Sequence, residues 1–421
     1  MPCLASIARL QAKAIRARVC VWDLLTLLIP DNRGEIIMRK TILALAIATL
    51  APTIAFNAVA DDVNLPKRLS WTAYGTTSSG YAQSIGLGNM LKGKYGSEVR
   101  VIPGKNDVSR MLPLKAGQAE ICACGIASYF SREGVLMFAD ERWGPQQVRN
   151  LFNNLGRNGT ASLGIANDIG VKRIQDLKGK RVTWVKGSPA LQTNMTAALA
   201  FGGLTWDDVQ KIEVPGWGQS MQAILDGQAD AAAGSTISGI FAQISASPRG
   251  LYHPTFPHDD DAGWARMNAV APYITKTSVS SAIGGESNIT GKLPYDGATY
   301  PYPIFIGLTT LSDDTAYGLT KAVMDNYDSF KDAGPGMDGY QIANQNLSWV
   351  FPYHPGAIRY YKEKGVWTAE AQANTDEMLR RESILQGTWA KVIAAGYDRQ
   401  AWLDARAAAL DAAGMSVPFR N

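Results

Sequence analysis

Two stretches of this chain repeat one order of elements and some of the same letters, and that repeat constrains the fold more than any single motif. In the first, a strand over Arg68 to Ala73 is followed by a helical stretch to Leu91, a strand over Val99 to Pro103, a helix over Asp107 to Ala116 and a strand over Glu120 to Cys124. In the second, a strand over Arg181 to Val185 leads to a helix ending at Gly202-Gly203, a strand over Lys211 to Val214, a helix over Gln219 to Asp226 and a strand over Asp230 to Ala233. Pro103-Gly104 and Gly117-Gln118-Ala119-Glu120 in the first copy match Pro215-Gly216 and Gly227-Gln228-Ala229-Asp230 in the second, with spacings that differ by two residues. Strands alternating with helices imply a parallel or mixed sheet covered by helices. Two copies imply two related α/β lobes, with strand ends and helix N-termini turned to the cleft where open α/β sheets bind ligands.

Two crossings are expected to join the lobes, one within Gln147 to Gly164 and one within Tyr300 to Thr309, where Pro301 and Pro303 punctuate an apolar strand. The expected domains are lobe 1 at 61–160, lobe 2 at 161–304, a return to lobe 1 at 305–345 and a helical segment at 346–421. Long helical patterns over Thr368 to Ala395 and Asp398 to Ala413 would brace the outside of the lobes.

Charge excludes nucleic acid as a partner. Residues 1–60 hold seven of the 41 basic residues and three of the 37 acidic ones, so the remainder carries 34 of each and is neutral. The same region holds an export pattern: Met38-Arg39-Lys40, an apolar run from Thr41 to Phe56, then Ala58-Val59-Ala60. This reads as a signal peptide over 38–60, cleaved after Ala60, and implies a periplasmic protein. Pro52 and Asn57 interrupt the run before the roughly 20 apolar residues that a membrane span needs. Residues 1–37 do not fit an export signal and are expected to precede the true start at Met38.

No catalytic residue, metal site or cofactor is expected. No G-x-S-x-G occurs, and Gly86-Leu87-Gly88 lies inside a helix rather than after a strand. His253, His258 and Asp259 to Asp261 have no ligand spacing that fixes a coordination geometry. Cys122 and Cys124 share one face of a strand, and a disulfide between them needs poor geometry. Two small buried thiols are expected, with a redox or soft-metal Cys-x-Cys site as the alternative.

Three polar loops of small residues at helix starts remain: Gly75, Thr76, Thr77, Ser78, Ser79, Gly80 and Tyr81; Lys186 to Gln192; and Gly216 to Ser220. Ser188 is expected to cap the helix that Pro189 opens. Free backbone N–H groups, hydroxyls and positive dipole ends can hold a carboxylate there. Tyr74, Tyr81, Trp184 and Trp217 would supply apolar walls, with Tyr81 and Trp217 the first choices.

The order Gly75-Thr76 to Gly80-Tyr81, Leu114 to Glu120, Asp176-Leu177-Lys178-Gly179-Lys180, Gly202-Gly203-Leu204-Thr205, Asp226-Gly227-Gln228-Ala229-Asp230 and His354-Pro355-Gly356-Ala357 resembles the TAXI solute receptors of TRAP transporters, over Leu69 to Trp367. The resemblance implies a two-lobed periplasmic binding protein of type II fold, with mixed sheets, flanking helices and a C-terminal helical extension. It implies a monomer that binds a small carboxylate and delivers it to a TRAP permease, not an enzyme; a secreted receptor for a membrane sensor kinase is the first alternative and an enzyme on the same two-lobed fold the second. Carried over by position, Gly125, Ile126, Gly187, Ser188, Pro189, Ala190, Gly234, Ser235 and Thr236 join the first loop as ligand shell. Ser79-Gly80-Tyr81-Ala82-Gln83 stands where relatives often read Gly-Thr-Tyr-Tyr-Pro.

Overall fold

In the computed structural model, residues 63–284 and 293–420 are described; the export signal, its cleavage site and residues 1–37 lie outside them. The first half runs β1 (Arg68–Tyr74), α1 (Ser79–Tyr95), β2 (Glu98–Gly104), α2 (Asp107–Lys115), β3 (Ile121–Cys124), α3 (Ala127–Glu133) and β4 (Val148–Asn153). The chain then crosses to β5 (Ser162–Ala166), β6 (Arg181–Val185), α4 (Pro189–Phe201), β7 (Gln210–Val214), α5 (Trp217–Leu225), β8 (Ala231–Gly234), α6 (Ile240–Ala246), β9 (Leu251–Tyr252) and α7 (Asp261–Val270). A hairpin of β10 (Thr275–Val279) and β11 (Tyr295–Thr299) precedes the return strand β12 (Ile304–Leu308), and the chain closes with α8 (Asp313–Asp325), α9 (Pro355–Glu363), α10 (Ala369–Ala394) and α11 (Arg399–Ala412).

The two main sheets share one plan. Their orders are β2-β1-β3-β12-β4 and β7-β6-β8-β5-β9. The first three strands of each are parallel, and the fourth, β12 or β5, is antiparallel and arrives directly from the crossing between sheets. The repeated letters mark equivalent positions. Glu120 Oε2 accepts the Ser70 N–H at 2.7 Å, and Asp230 Oδ2 accepts the Arg181 N–H at 2.9 Å, so each acid ties the start of one inner strand to its neighbour.

Local signals explain the helices. Ser78 Oγ accepts the Tyr81 N–H to open α1, and Gly96, in the left-handed region at φ 67°, ends it. Thr368 and Asp398 cap α10 and α11. His354 caps α9 through Nδ1, and its Nε2 lies 3.0 Å from the Leu311 carbonyl. A Cβ on Gly356 would overlap the Asp313 carbonyl oxygen, so this glycine lets α9 press onto α8. The His354-Pro355-Gly356-Ala357 segment is a packing joint.

One expectation is corrected. Cys122 and Cys124 are joined by a disulfide rather than held as thiols. Their Cα atoms are 5.0 Å apart, inside the span a disulfide bridges and shorter than the roughly 6.6 Å of two extended residues. The contraction brings the two side chains on one face together.

Candidate functional site

The loops that follow the parallel strands of one sheet meet those of the other. The Trp217 N–H donates to the Lys105 carbonyl at 2.9 Å, the Val108 N–H to the Gly187 carbonyl at 3.1 Å, and Asn106 Nδ2 to the Lys186 carbonyl at 3.2 Å. The lobes are closed, and the N-terminus of α2 faces that of α4.

Between those two helix ends lies a carboxylate. Asp107, in the first turn of α2, accepts the Ala190 N–H on Oδ2 at 2.8 Å. Its Oδ1 accepts Arg110 Nη2 at 2.7 Å and the Tyr74 hydroxyl. This corrects the expected Ser188 cap. Ser188 makes no capping bond to α4; its hydroxyl accepts the Asp107 N–H at 3.2 Å and lies 3.2 Å from the Tyr74 hydroxyl. A charged carboxylate is the stronger partner for a helix N-terminus, and lobe closure delivers one.

Arg110 is buried, 1% exposed, with its guanidinium carbon 3.8 Å above the Tyr74 ring and Nη1 donating to the Ala123 carbonyl at 3.3 Å. Its Nε has no hydrogen-bond partner among the described residues. Burial opposes its charge, but Tyr74, Asp107 and Tyr302 outweigh burial and raise its pKa. The Tyr74 hydroxyl is pushed well up, by burial first and by Asp107 second. Gly104 and Gly125 make room: a Cβ on Gly104 would lie 2.8 Å from Arg110 Cβ, and one on Gly125 3.1 Å from the Tyr302 ring and 3.4 Å from Arg110 Nη2.

Beside the ion pair is a cavity of about 30 Å³, lined by Tyr74, Ser78, Ser79, Thr160, Leu191, Asn194, Trp217, Gly234, Ser235, Ser238, Tyr300 and Tyr302. Asn194 Nδ2 donates to the Tyr300 hydroxyl at 2.8 Å, and the Tyr273 hydroxyl donates to Asn194 Oδ1 at 2.9 Å. Asn158 Nδ2 donates to Thr160 at 3.2 Å and to Ser235 at 3.1 Å. The volume suits water, not an organic solute, since ligand pockets run to roughly 300 Å³ and more.

A family model, the NMT1-like family, matches residues 73–365, from the end of β1 to just beyond α9. The chain belongs to the NMT1-like family. The matched region takes in both main sheets and the helices that flank them. Among solved structures, a protein from Bordetella bronchiseptica RB50 is 17% identical, with 75% of this chain and 89% of that chain covered and a TM-score of 0.42. An ancestral arginine-binding protein bound to arginine is 13% identical, with 64% and 99% covered and a TM-score of 0.38. The alkanesulfonate-binding protein of Xanthomonas axonopodis pv. citri bound to MOPS is 12% identical, with 73% and 96% covered and a TM-score of 0.37. Scores of this size decide nothing about the ligand. No curated protein matches the chain.

In this NMT1-like protein the residues expected at the site divide. Ser78, Ser79, Trp217, Gly234 and Ser235 line the cavity. Gly80 and Gly125 pack against Tyr302, and Ala190 bonds Asp107. Gly75, Thr76 and Thr77 form the turn closed by the Ser78 N–H on the Gly75 carbonyl. Gly187 lies against Asn106, Pro189 opens α4, and Ile126 is core. Thr236 Oγ1 accepts the Gly159 N–H at 3.1 Å and donates to the Ser281 carbonyl at 2.9 Å, fastening the crossing. Tyr81 does not line the cavity, because α1 has begun at Ser79 and its turn carries the ring onto the lobe-1 core. Trp184 packs on Trp206, with ring centroids 5.0 Å apart.

Sequence reasoning missed Asp107, Arg110, Asn194 and the crossing residues Thr160, Tyr300 and Tyr302. A signal for the first two existed: they are three residues apart, on one face of α2 with buried Met111 and Leu114, and two charges on an apolar face require partners. Among the described residues, no group of three or more His, Cys, Asp or Glu is placed to hold a metal ion, and no helix is long and apolar enough to cross a membrane.

Proposed function

We propose that this protein is an exported, periplasmic solute receptor that closes its two lobes on a small organic carboxylate and delivers it to a TRAP-type membrane permease. The observation that carries the reading is the seat between the lobes, where one carboxylate, that of Asp107, meets a buried guanidinium and two helix N-termini. A cation and two positive dipole ends make this seat a place for an oxyanion. Around the seat, Ser78, Ser79, Asn194 and Ser235 offer hydrogen-bonding groups and Tyr74, Trp217, Tyr300 and Tyr302 apolar walls, to be shared with a solute once the lobes part enough to admit one. Family membership supports binding and transport rather than turnover. The resemblance of the Gly75 to Tyr81 and His354 to Tyr361 segments to TAXI receptors supports the permease and the export signal.

Native mass spectrometry of the protein purified from its host, followed by identification of the released molecule, tests the reading. A small carboxylate recovered unchanged is the expected result. A recovered solute without an acidic group, or a chemically altered one, would overturn it.

A further inference from the structure

Opening the cleft would separate two sets of donors that Asp107 now joins. Arg110 is on the same helix and stays with it, whereas the Ala190 N–H and the Ser188 hydroxyl belong to the other lobe. The cavity next to the seat measures about 30 Å³, which leaves no room for a solute beside Asp107 in this arrangement of the lobes. It is also dry of alternatives: Asp107 and Arg110 are 0% and 1% exposed.

We infer that Asp107 is a built-in carboxylate that occupies the solute's anion seat and latches the lobes shut in the absence of solute. An incoming carboxylate competes with it for the Ala190 N–H at the start of α4 and for Arg110. Asp107 is therefore both latch and specificity determinant. A solute binds by replacing it, and one that cannot supply an oxyanion to the α4 N-terminus gains nothing from closure. The unpartnered Nε of Arg110 is a further donor in this buried site. The inference rests on the receptor reading above for its solute, but not for the latch.

Small-angle X-ray scattering separates the two. Protein is unfolded and refolded to remove carried-over solute, then wild type, Asp107→Asn and Ser188→Ala are compared. Both variants are expected to show a larger radius of gyration, by about 1 Å on the roughly 20 Å of a chain this size, with Ser188→Ala the smaller change because Asp107 keeps the Ala190 bond. An unchanged radius in both overturns the latch. Acetate, succinate and L-glutamate are then titrated by thermal shift. Asp107→Asn is expected to bind the best of them about tenfold more tightly, since the resident competitor is gone. Weaker binding by that variant overturns the exchange. If none of the three stabilises any form although the radius rises, the latch stands and the carboxylate reading fails. Ser188→Ala keeps the test alive if Asp107→Asn does not fold.

Discussion

Trp217 and Tyr74, one from each lobe, stack with ring centroids 6.3 Å apart and planes 23° from parallel. The indole is fixed to lobe 2 by Nε1 donating to the Ala233 carbonyl at 3.2 Å. The phenol is fixed to lobe 1 between that indole and the Arg110 guanidinium. Lobe opening must therefore break an aromatic contact as well as the polar ones around Asp107.

That contact makes Trp217 a reporter. At 3% exposure, its emission, isolated by subtracting the spectrum of Trp217→Phe, is expected to be blue and resistant to acrylamide in the closed protein and red-shifted in Asp107→Asn. Trp217→Phe itself is expected to weaken solute binding about tenfold, in line with the ~1.5 kcal/mol of a well-placed aromatic pair. Equal quenching of closed and opened protein would remove Trp217 from the cleft.

Closure can be disturbed without touching the cavity. A Cβ on Gly216 would lie 3.0 Å from the Lys105 carbonyl oxygen and 3.1 Å from Lys105 Cβ, atoms of the opposite lobe. We expect Gly216→Ala to wedge the lobes apart, raising the radius of gyration while changing unfolding free energy by less than about 1 kcal/mol. Gly218 has nothing within 4 Å of its Cβ position, so Gly218→Ala is the control, with closure unchanged and stability equal or higher.

The alternation of strands and helices was legible because the signals are local. Alternating elements, capping residues such as Thr368 and Asp398, and the paired Gly-Gln-Ala segments each act within a few residues. Of the loop residues expected at the cleft, Ser78, Ser79, Trp217, Gly234 and Ser235 line the cavity. What sequence did not convey is tertiary. The cap of α4 comes from Asp107, 83 residues away, and Ser188 gives up that role to bond across the lobes. Tyr300 and Tyr302 sit in the link between β11 and β12, and Tyr81 lies off the cavity because the turn of α1 carries its ring onto the lobe-1 core.

The equivalent acids of the two lobes are expected to differ in weight. Asp230 accepts from Arg181, at 2.6 Å to Nη2, and from Arg249 Nη2 at 3.0 Å, besides its backbone bond. Glu120, exposed, has the single backbone bond from Ser70. Asp230→Asn should cost about 2 kcal/mol and Glu120→Gln below ~1 kcal/mol in urea unfolding. Equal costs would show that the arginines contribute nothing.

Buried ion pairs tie the C-terminal helices to lobe 1, Arg149 with Glu382 of α10 and a cluster around Glu133. Glu133, at the end of α3, accepts from Arg381 at 2.7 Å on Oε1 and 2.6 Å on Oε2, from Arg406 at 2.6 Å and from Arg132 at 3.0 Å. Burial alone would raise its pKa; the Arg381 bonds and the charges of Arg132, Arg381 and Arg406 prevail and lower it from 4.5 to about 2. A carboxyl depressed on folding stabilises the native state above its unfolded value and loses that contribution as pH falls through the folded one. Glu133→Gln leaves three buried guanidiniums without a counter-charge, and a loss of about 3–5 kcal/mol is expected near neutral pH. Measured by urea unfolding, the gap between wild type and variant should be constant above about pH 5 and shrink steadily toward pH 2, because protonation makes the wild-type side chain as neutral as the amide. A gap that did not shrink over that range would mean the loss comes from packing rather than from charge.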